Sequence, residues 1–359
     1  MFTHLSRLTD RRGLFEHAEG DTPRMAHGYC VDDVARALTV TTSESASSPA
    51  LATLTETYLG FLEGAIEADG NVHNRMNGWG EWTDEASTGD WWGRAVHALG
   101  TAAVHAPLAT TRRRAMRGFT LAAQRTSPNL HAMTFAAIGA AEVLAAGPRL
   151  GISSPLGSAR RIITRAAALI CAAPKGTSWP WPEARLRYSS GSLPEALIAG
   201  GHALDDRVMT ARGLAMLGFL LDLETMDGQL SVTGTQGKGE GESGPQFDQQ
   251  PIEVAALASA CARAYDVTGD SRWLDGLRLA WDWFLGVNDS ETPMIDLATG
   301  AGFDGLMPEG RNDNRGAEST LAALSTFQLA RRLLGAPALS AVTLPGTLVS
   351  MPSARGGRA

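Results

Sequence analysis

Six short polar sequences, each at the start of an alanine-rich helical segment, constrain the fold more than any other feature of this chain. They recur at a loose period of about 40 to 66 residues. The first places Asp32 and Asp33 in the first turn of a helix whose buried stripe would run through Asp33, Arg36, Ala37 and Val40. An acid and a base at the start of a buried stripe indicate a functional helix end. The polar sequences begin near residues 28, 90, 129, 193, 250 and 316.

The connections between these helical segments alternate in length. Short ones, such as Ala106 to Ala109 and Val267 to Asp270, follow the six segments, whereas long ones, such as Met226 to Gln249 and Asn288 to Asn314, lead into most of them. Loops above about 12 to 15 residues are uncommon inside compact domains and are usually functional. Because the long loops lead into one set of helix starts, they predict a single working face.

Each polar sequence therefore opens one helical hairpin, and six hairpins that each bury one face close most simply into a ring. The inner helices should be rich in small residues, as the segments Ala95 to Gly100 and Ala136 to Ala140 are. Alternating runs of Val, Ile and Thr are absent, which argues against a sheet. The sequence predicts an all-α (α/α)6 toroid, a six-hairpin barrel in which the amino ends of the inner helices surround one mouth.

The barrel is expected to fill residues 27–334 as one catalytic domain. Residues 1–26 would form an N-terminal strap, and residues 335–359 a C-terminal tail that is partly disordered. A twelfth helix is not visible after residue 334, where prolines interrupt the pattern. The strap is therefore a candidate for the outer position of the sixth hairpin.

Charge and hydropathy exclude several classes of partner. A formal net charge of −7 without a basic patch argues against nucleic acid. No apolar run of about 18 residues and no signal-peptide core are evident, so we expect a cytoplasmic protein without a membrane partner. The three cysteines, Cys30, Cys171 and Cys261, are odd in number and far apart, which predicts no disulfide framework. Association into a homodimer stays an open alternative.

The acids at the six helix starts suggest cleavage of a glycosidic bond. That reaction needs a protonated carboxylic acid at the leaving oxygen and a second carboxylate, about 5 to 10 Å away, as base or nucleophile. Crowding of several acids in one mouth raises the pKa of at least one of them. The predicted catalytic residues are Asp33 and Asp90, with Glu195 or Glu253 nearby.

A structural interpretation competes at each of these positions. Asp33 could simply pair with Arg36, and Asp90 with Arg94, as ion pairs within their own helices. Glu195 stands at a helix start, where the helix dipole alone favours an acid. These alternatives are left open by the sequence.

Sugar binding needs flat apolar surfaces and fixed polar groups. Six of the nine tryptophans lie in or just after two long loops, which is the best sequence indication of a carbohydrate ligand, although about half of them are expected to be structural. The predicted substrate-binding residues are Asp32, Arg36, Trp79, Trp91, Arg94, His131, Trp179, Trp181, Tyr188, Gln249, Gln250 and Glu318.

No cofactor and no metal are predicted. The glycine-rich stretch Gly234 to Gly244 is not preceded by a strand, so we expect a mobile lid rather than a phosphate-binding loop. His27, Cys30 and Asp32 match no standard zinc spacing. A phosphate could still bind at an inner helix start beside an arginine such as Arg36, which keeps phosphorolysis open.

With these motifs identified, residues 27 to 334 resemble the (α/α)6 toroid of carbohydrate-active enzymes, the six-hairpin glycosidase-like superfamily. Four sequence motifs are also similar to those of a family of uncharacterised bacterial proteins often labelled glycosyltransferase. The motifs are Gly28 to Arg36, Trp179 to Glu183, Phe247 to Glu253 and Gly316 to Thr320.

The toroid resembles, further, unsaturated glucuronyl hydrolases, other glycoside hydrolases and N-acylglucosamine 2-epimerases. In the glucuronyl hydrolases, two aspartates on inner helices one hairpin apart serve the active site, and Asp33 and Asp90 stand in comparable places. The motifs around those aspartates differ here, so the resemblance does not transfer the substrate.

The sequence therefore predicts a glycoside hydrolase that acts on an oligosaccharide or glycoconjugate. A glycoside phosphorylase and a sugar epimerase are alternatives in the same fold, and the epimerase would need a histidine base in the mouth, for which His27, His131 and His73 qualify. The third alternative is a non-catalytic glycan-binding partner of a glycosyltransferase, whose mouth acids would all be ion-paired.

Overall fold

The computed structural model of the protein describes residues 1–44, 48–150, 155–172 and 178–335. All but the first residue of the predicted C-terminal tail lie outside these ranges. Within them the chain forms twelve α-helices. The helices are α1 Thr3–Arg7, α2 Val31–Ser43, α3 Pro49–Ala65, α4 Asp90–His105, α5 Ala109–Ala122, α6 Leu130–Leu150, α7 Leu156–Ile170, α8 Ser192–Leu204, α9 Arg207–Glu224, α10 Pro251–Thr268, α11 Arg272–Phe284 and α12 Ala317–Leu334.

Strands are short and pair in twos, all antiparallel, within the connections between helices. They are β1 Ala18–Glu19 with β2 Thr22–Pro23, β3 Tyr29–Cys30 with β4 Arg75–Met76, β5 Arg185–Leu186 with β8 Lys238–Gly239, β6 Thr225–Met226 with β7 Gln229–Leu230, β9 Ile295–Asp296 with β10 Ala301–Gly302, and β11 Gly305–Met307 with β12 Gly310–Asn312. None of them forms a central sheet in the described part of the chain.

Six helices form a closed inner ring in the order α2, α4, α6, α8, α10 and α12, and α12 packs against α2. The helices α3, α5, α7, α9 and α11 each pack outside the inner helix that precedes them. The predicted all-α (α/α)6 toroid is confirmed. The inner helices begin within three residues of the six polar sequences that predicted them.

The burial pattern explains which helices lie inside. In α10 every residue from Pro251 to Ala258 is buried, because this helix has neighbours on nearly all sides. The outer helix α7 buries a single stripe at Ala159, Ile162, Ile163, Ala166 and Ile170, the spacing of a helix with one apolar face. Apolar coverage of the whole helix surface thus marks an inner helix, and a stripe marks an outer one.

The N-terminal segment lies beside α12, the sixth inner helix. Helix α1 packs on α12, Leu5 and Leu8 are fully buried, and His4 Nε2 lies 2.8 Å from the carbonyl oxygen of Arg315. This segment therefore occupies the side of α12 where a sixth outer helix would stand. The domain boundaries at residues 26 and 334 stay predictions.

One segment of α6, Leu130–Gly147, is long and apolar enough by composition to cross a membrane, although the sequence pattern had indicated no run of this length. In this structure 78% of it is buried inside the protein. Its apolar surface is therefore accounted for by its place in the inner ring.

Two inner helices, α4 and α6, approach each other closely at glycines. A Cβ atom added at Gly139 would lie 2.5 Å from the Cα of His97, and one added at Gly100 would lie 2.5 Å from the carbonyl oxygen of Gly139. No side chain fits at such distances. The glycines therefore set the spacing between these two helices.

We expect Gly139→Val to destabilise the protein by about 1 to 3 kcal/mol or more, because the backbones must separate to admit the side chain. The matched control is Gly64→Ala on the exposed face of α3, where an added Cβ meets nothing within 4 Å. It should leave stability unchanged or raise it by up to about 1 kcal/mol. Urea unfolding of the two variants tests this, and equal stabilities would contradict the close-packing argument.

Candidate active site

The amino ends of the inner helices surround a cavity of about 890 Å³, which we call the mouth. Acidic side chains from several elements line it. They are Glu16 before β1, Asp32 and Asp33 in the first turn of α2, Asp90 at the start of α4, Asp248 before α10, Asp304 between β10 and β11, and Glu318 in α12. The predicted binding residues Arg36, Trp91, Tyr188 and Gln250 line the mouth as well.

Arg36 neutralises two of these acids. Its Nη1 donates a hydrogen bond to Asp33 Oδ1 at 2.5 Å, and its Nη2 lies 2.7 Å from Glu318 Oε2. The other oxygen of Asp33 accepts a hydrogen bond from the Cys30 thiol at 3.2 Å. Burial raises the pKa of Asp33 to about 7 against the opposing effect of Arg36. Both oxygens of Asp33 are thus engaged, as the structural interpretation of this residue predicts.

Arg94 occupies the neighbouring position. Its Nη2 donates to the Tyr188 hydroxyl at 2.5 Å, its Nε lies 3.4 Å from Asp32 Oδ1, and its guanidinium stacks 3.8 Å from the centre of the Phe135 ring. Arg36 Nη2 donates to the same Tyr188 hydroxyl at 2.6 Å. Burial raises the pKa of Tyr188 to about 12, so the phenol stays neutral. We call Arg36, Arg94 and Tyr188 the floor of the mouth.

Two acids of the mouth stand apart from these pairs. Among the residues that the structure describes, no side chain forms an ion pair or hydrogen bond with the carboxylate of Asp90, and Arg94 pairs with Asp32 instead. Asp248 Oδ1 is buried without a hydrogen-bond partner, and burial together with Asp304 raises the pKa of Asp248. Asp90 and Asp248 adjoin α4 and α10, which stand opposite each other in the six-helix ring.

Asp248 was missing from the predicted site. It precedes its helix by three residues and lies in an irregular loop, so no periodicity singles it out. The one sequence feature that could have indicated Asp248 is its position directly before the polar sequence at the start of α10. Asp304, also missed, accepts a hydrogen bond from the Gly316 N–H at 2.7 Å, and burial raises its pKa.

Glu253 and Glu195, both predicted to be catalytic, do not line the mouth. Glu253 is buried, and its two carboxylate oxygens accept hydrogen bonds from the backbone N–H groups of Ser189, at 2.5 Å, and Ser190, at 3.1 Å. Glu195 lines a separate cavity beyond the floor, with Oε1 3.9 Å from Arg263 Nε. Both residues stand in the first turn of their helices, as Asp33 does, so position along the helix does not distinguish them. Glu253 instead supports the loop at Ser189 and Ser190.

Burial raises the pKa of Glu253 from its ordinary value of 4.5 to about 8. Between these two pH values the unfolded chain releases a proton that the folded protein retains, so the free energy of unfolding should fall by about 1.4 kcal/mol per pH unit as pH rises. In Glu253→Gln this contribution is absent, and urea unfolding across the range should show a correspondingly flatter profile. The exposed control Glu85→Gln should keep the wild-type slope. Parallel profiles for wild type and Glu253→Gln would contradict the assignment.

Of the four tryptophans predicted to bind substrate, one lines the mouth. Trp91 lines the mouth, and its Nε1 donates to the carbonyl oxygen of Val72 at 2.7 Å. Trp179 and Trp181 are instead buried against Phe219 of α9, with ring centres 5.5 and 6.4 Å from it. Trp79 is 83% exposed outside the mouth. Trp179 and Trp181 join the hydrophobic core, and of the tryptophans predicted to bind substrate, Trp79, Trp179 and Trp181 do not line the mouth.

Two predicted hydrogen-bonding residues also face elsewhere. Gln249 is fully buried, donating to Asp289 Oδ2 at 2.6 Å and accepting from Trp283 Nε1 at 3.1 Å, so both ends of its amide are engaged. His131 lies behind the floor, its ring 6.0 Å from that of Tyr188 and its Nε2 3.4 Å from Glu183 Oε2. Neither residue lines the mouth.

The histidines bear on the epimerase alternative. His27, His73 and His131, the three that the sequence offered as a base, are absent from the lining of the mouth as far as the structure describes it. His17 lines it instead, with Nε2 3.7 Å from Glu16 Oε1. His17 lies in the N-terminal segment, outside the six helix starts from which the site was predicted.

The glycine-rich stretch predicted to be a mobile lid is held in place. Its residues Lys238 and Gly239 pair with β5, and the Lys238 side chain is buried. Arg185 of β5 donates to Glu242 Oε1 at 2.5 Å. These contacts fix the stretch against the loop that carries Tyr188.

One cluster of side chains, Glu16, Cys30 and Asp33, brings three potential metal-ligand atoms within 4.8 Å of one another. Each of its carboxylates already pairs with an arginine, Asp33 with Arg36 and Glu16 with Arg75. Those arginines supply the positive charge that a metal ion would otherwise bring, so the donor set does not fit a cation.

No protein-family model and no curated protein matches this sequence. Solved structures do match its fold. A sugar epimerase from a ruminal bacterium has a TM-score of 0.67 at 13% identity, covering 91% of this chain and 95% of that one. The cellobiose 2-epimerase of Bacillus thermoamylovorans B4167 has a TM-score of 0.66 at 12% identity, covering 90% and 95%. The GH76 α-mannanase of Bacteroides thetaiotaomicron has a TM-score of 0.56 at 10% identity, covering 86% and 88%. At such identities the likeness establishes the six-hairpin (α/α)6 fold.

Proposed function

We propose that this protein is a carbohydrate-active enzyme that hydrolyses a glycosidic bond, with Asp248 as the general acid and Asp90 as the second carboxylate. The observation that carries the proposal is the contrast within the mouth. Arginines engage Asp32, Asp33 and Glu318, whereas Asp90 and Asp248 are unpaired among the residues described. Glycoside cleavage requires two available carboxylates that can reach one bond, and these two line the same cavity.

The environments of the two acids suggest their roles. Burial raises the pKa of Asp248, which favours the protonated form that a general acid needs to give a proton to the leaving oxygen. Asp90, at the first residue of α4, is free to activate a water molecule or to attack the anomeric carbon. Trp91, held by its bond to Val72, supplies a fixed apolar surface for a sugar ring, and Gln250 supplies hydrogen bonds.

Hydrolysis is favoured over phosphorolysis by the charges around the mouth. Among the described residues, seven acids and the arginines Arg36 and Arg75 line the cavity, and Arg94 lies in its floor. Each of these three arginines is paired with a carboxylate. In the described part of the mouth a phosphate ion would meet no unpaired arginine and several negative charges. A neutral water nucleophile faces no such repulsion.

A sugar epimerase or isomerase is the second candidate, because the fold matches such enzymes more closely than it matches the mannanase. The epimerases and a D-mannose isomerase have TM-scores of 0.63 to 0.67, against 0.56. This chemistry needs a base that removes a proton next to a carbonyl group, and His17 is the histidine on the mouth.

One experiment separates the two candidates. The protein is incubated in D2O with mannosides and glucosides of several linkages, and separately with D-mannose and cellobiose. Hydrolysis releases new reducing ends and leaves carbon-bound protons unexchanged. Deuterium at C2 without any cleavage would overturn the hydrolase proposal in favour of the epimerase, and His17→Ala should then abolish the exchange.

A further inference from the structure

A second cavity, of about 800 Å³, lies inside the ring on the far side of the floor. We call it the inner chamber. Its outer part is lined by residues at the carboxyl ends of inner helices, such as His105 of α4 and Arg331 of α12, so it lies toward the end of the barrel opposite the mouth. Cavities that bind small molecules usually measure about 300 to 1,000 Å³. The chamber has the size of a binding site and lies away from Asp90 and Asp248.

The acidic residues on the wall of the chamber are balanced by bases. Glu142 pairs with Arg263 and accepts from His105 Nε2 at 2.9 Å. Burial alone would raise the pKa of Glu142, but Arg263 and His105 bring it down to about 2. Near the opening, Arg331 donates to Glu44 Oε1 at 2.6 Å. A charged ligand would have to compete with these pairs, so the wall favours an uncharged one.

Uncharged hydrogen-bonding groups remain available between these pairs. His97 and Thr101 are four residues apart on α4 and therefore share one face of the helix. Within the described part of the chain neither side chain has a hydrogen-bond partner. Burial lowers the pKa of His97 to about 4, so near neutral pH its ring offers one donor and one acceptor.

The remaining wall is apolar. Ile138, Ile252 and Leu321 contribute side chains from α6, α10 and α12. A molecule bound here would meet hydrogen-bonding groups on α4 and hydrocarbon on other sides. Sugars and cyclic polyols present this combination, because their hydroxyl groups lie around a ring that has C–H surfaces.

We propose that the inner chamber is a second ligand site, which binds a neutral polyhydroxylated ring, a monosaccharide or cyclic polyol, through His97 and Thr101. The site is separated from the mouth by Arg36, Arg94 and Tyr188. It therefore does not depend on the proposed hydrolysis, and either proposal can fail without the other.

Calorimetric titration of the full-length protein with D-mannose and with myo-inositol tests the proposal. Thr101→Val, which keeps the shape of the side chain, should weaken binding of at least one probe by about threefold to tenfold, the worth of one neutral hydrogen bond. His97→Leu should weaken it further. The matched control, Thr53→Val on the exposed face of α3, should leave binding unchanged, and unfolding midpoints verify that each variant is folded.

Three outcomes would overturn the proposal. Neither probe binds at the highest soluble concentration, which would mean that the chamber holds only water. Binding is weakened by Gln250→Ala but by neither chamber variant, which would assign it to the mouth. D-glucuronate and D-glucosamine bind as tightly as the neutral probes, which would contradict a wall that selects against charge.

Discussion

Asp248→Asn is expected to lower the rate of oligosaccharide hydrolysis by about 100- to 10,000-fold, the usual contribution of a general acid. Asparagine keeps the size of the side chain but has no proton to donate to the leaving oxygen. Asp248 is suited to that step because burial and the neighbouring Asp304 raise its pKa. Release of reducing ends measures the loss.

The choice of substrate makes this test specific. An aryl glycoside with an acidic phenol as leaving group needs little protonation, so Asp248→Asn should retain far more activity on it than on an oligosaccharide. Asp90→Asn should lose activity on both substrates, because its role lies at the anomeric carbon. The high-pH limb of the wild-type profile, where Asp248 would lose its proton, should disappear in Asp248→Asn.

The matched control is Asp313→Asn, since the side chain of Asp313 is 84% exposed away from the mouth. It should retain wild-type rates on both substrates. Equal losses on both substrates in Asp248→Asn would contradict a general acid, and an unimpaired Asp248→Asn with an inactive Asp33→Asn would return the acid role to Asp33.

The fold was predictable because its determinants are local and repeated. Short connections force neighbouring helices into hairpins, and small residues such as Gly100 and Gly139 allow inner helices to approach closely. Both features can be read without knowing which segments meet. The β-ribbons in the long loops were not predicted, because two or three residues per strand give no alternation to detect.

The site was predicted only in part, because pairing depends on contacts between distant segments. The spacing of Asp33 and Arg36 allowed an ion pair, but only the structure shows that Glu318, far along the chain, joins it. An ion pair between Asp90 and Arg94 was the structural alternative to a catalytic Asp90, yet Arg94 pairs with Asp32 of another helix. Which acids remain free is thus a property of the assembled ring.

The tryptophans and the inner chamber illustrate the same limit. Trp179 and Trp181 turn away from the mouth because Phe219 of α9 offers an apolar partner, which the loop sequence cannot reveal. His97 lies two turns inside α4, where helical periodicity alone predicts a core position. His97 reaches the inner chamber because the ring of inner helices leaves a cavity beside this part of α4.

Arg36→Met is expected to destabilise the protein by about 3 to 5 kcal/mol at neutral pH, the usual cost of leaving a buried charge without its partner. Arg36 is the shared partner of Asp33, Glu318 and the Tyr188 hydroxyl. Of these, Asp33 is only 3% exposed, so water cannot replace the lost cation. Urea unfolding measures the loss, and the exposed pair offers a matched control, because Arg332→Met removes a cation from Asp266 at a cost of at most about 1 kcal/mol.

Two tests distinguish the loss of the ion pair from the loss of packing as the reason why Arg36→Met is less stable. The double variant Asp33→Asn with Arg36→Met removes the unpaired carboxyl as well, so it should be more stable than Arg36→Met alone even though it carries one more substitution.

Lowering the pH should also reduce the stability that Arg36→Met loses. Burial raises the pKa of Asp33, and Arg36 opposes that shift. Without the arginine, this carboxyl at neutral pH must either stay ionised in the interior or take up a proton that the unfolded chain does not bind, and both cost free energy. Near pH 4 the unfolded chain begins to bind a proton at Asp33 as well. The free energies of unfolding of wild type and Arg36→Met should therefore differ less at pH 4 than at pH 7. A cost of Arg36→Met that stays the same at pH 4 and pH 7, and in the Asp33→Asn background, would mean that Arg36 acts by filling space and that the charges of the mouth are not organised around it.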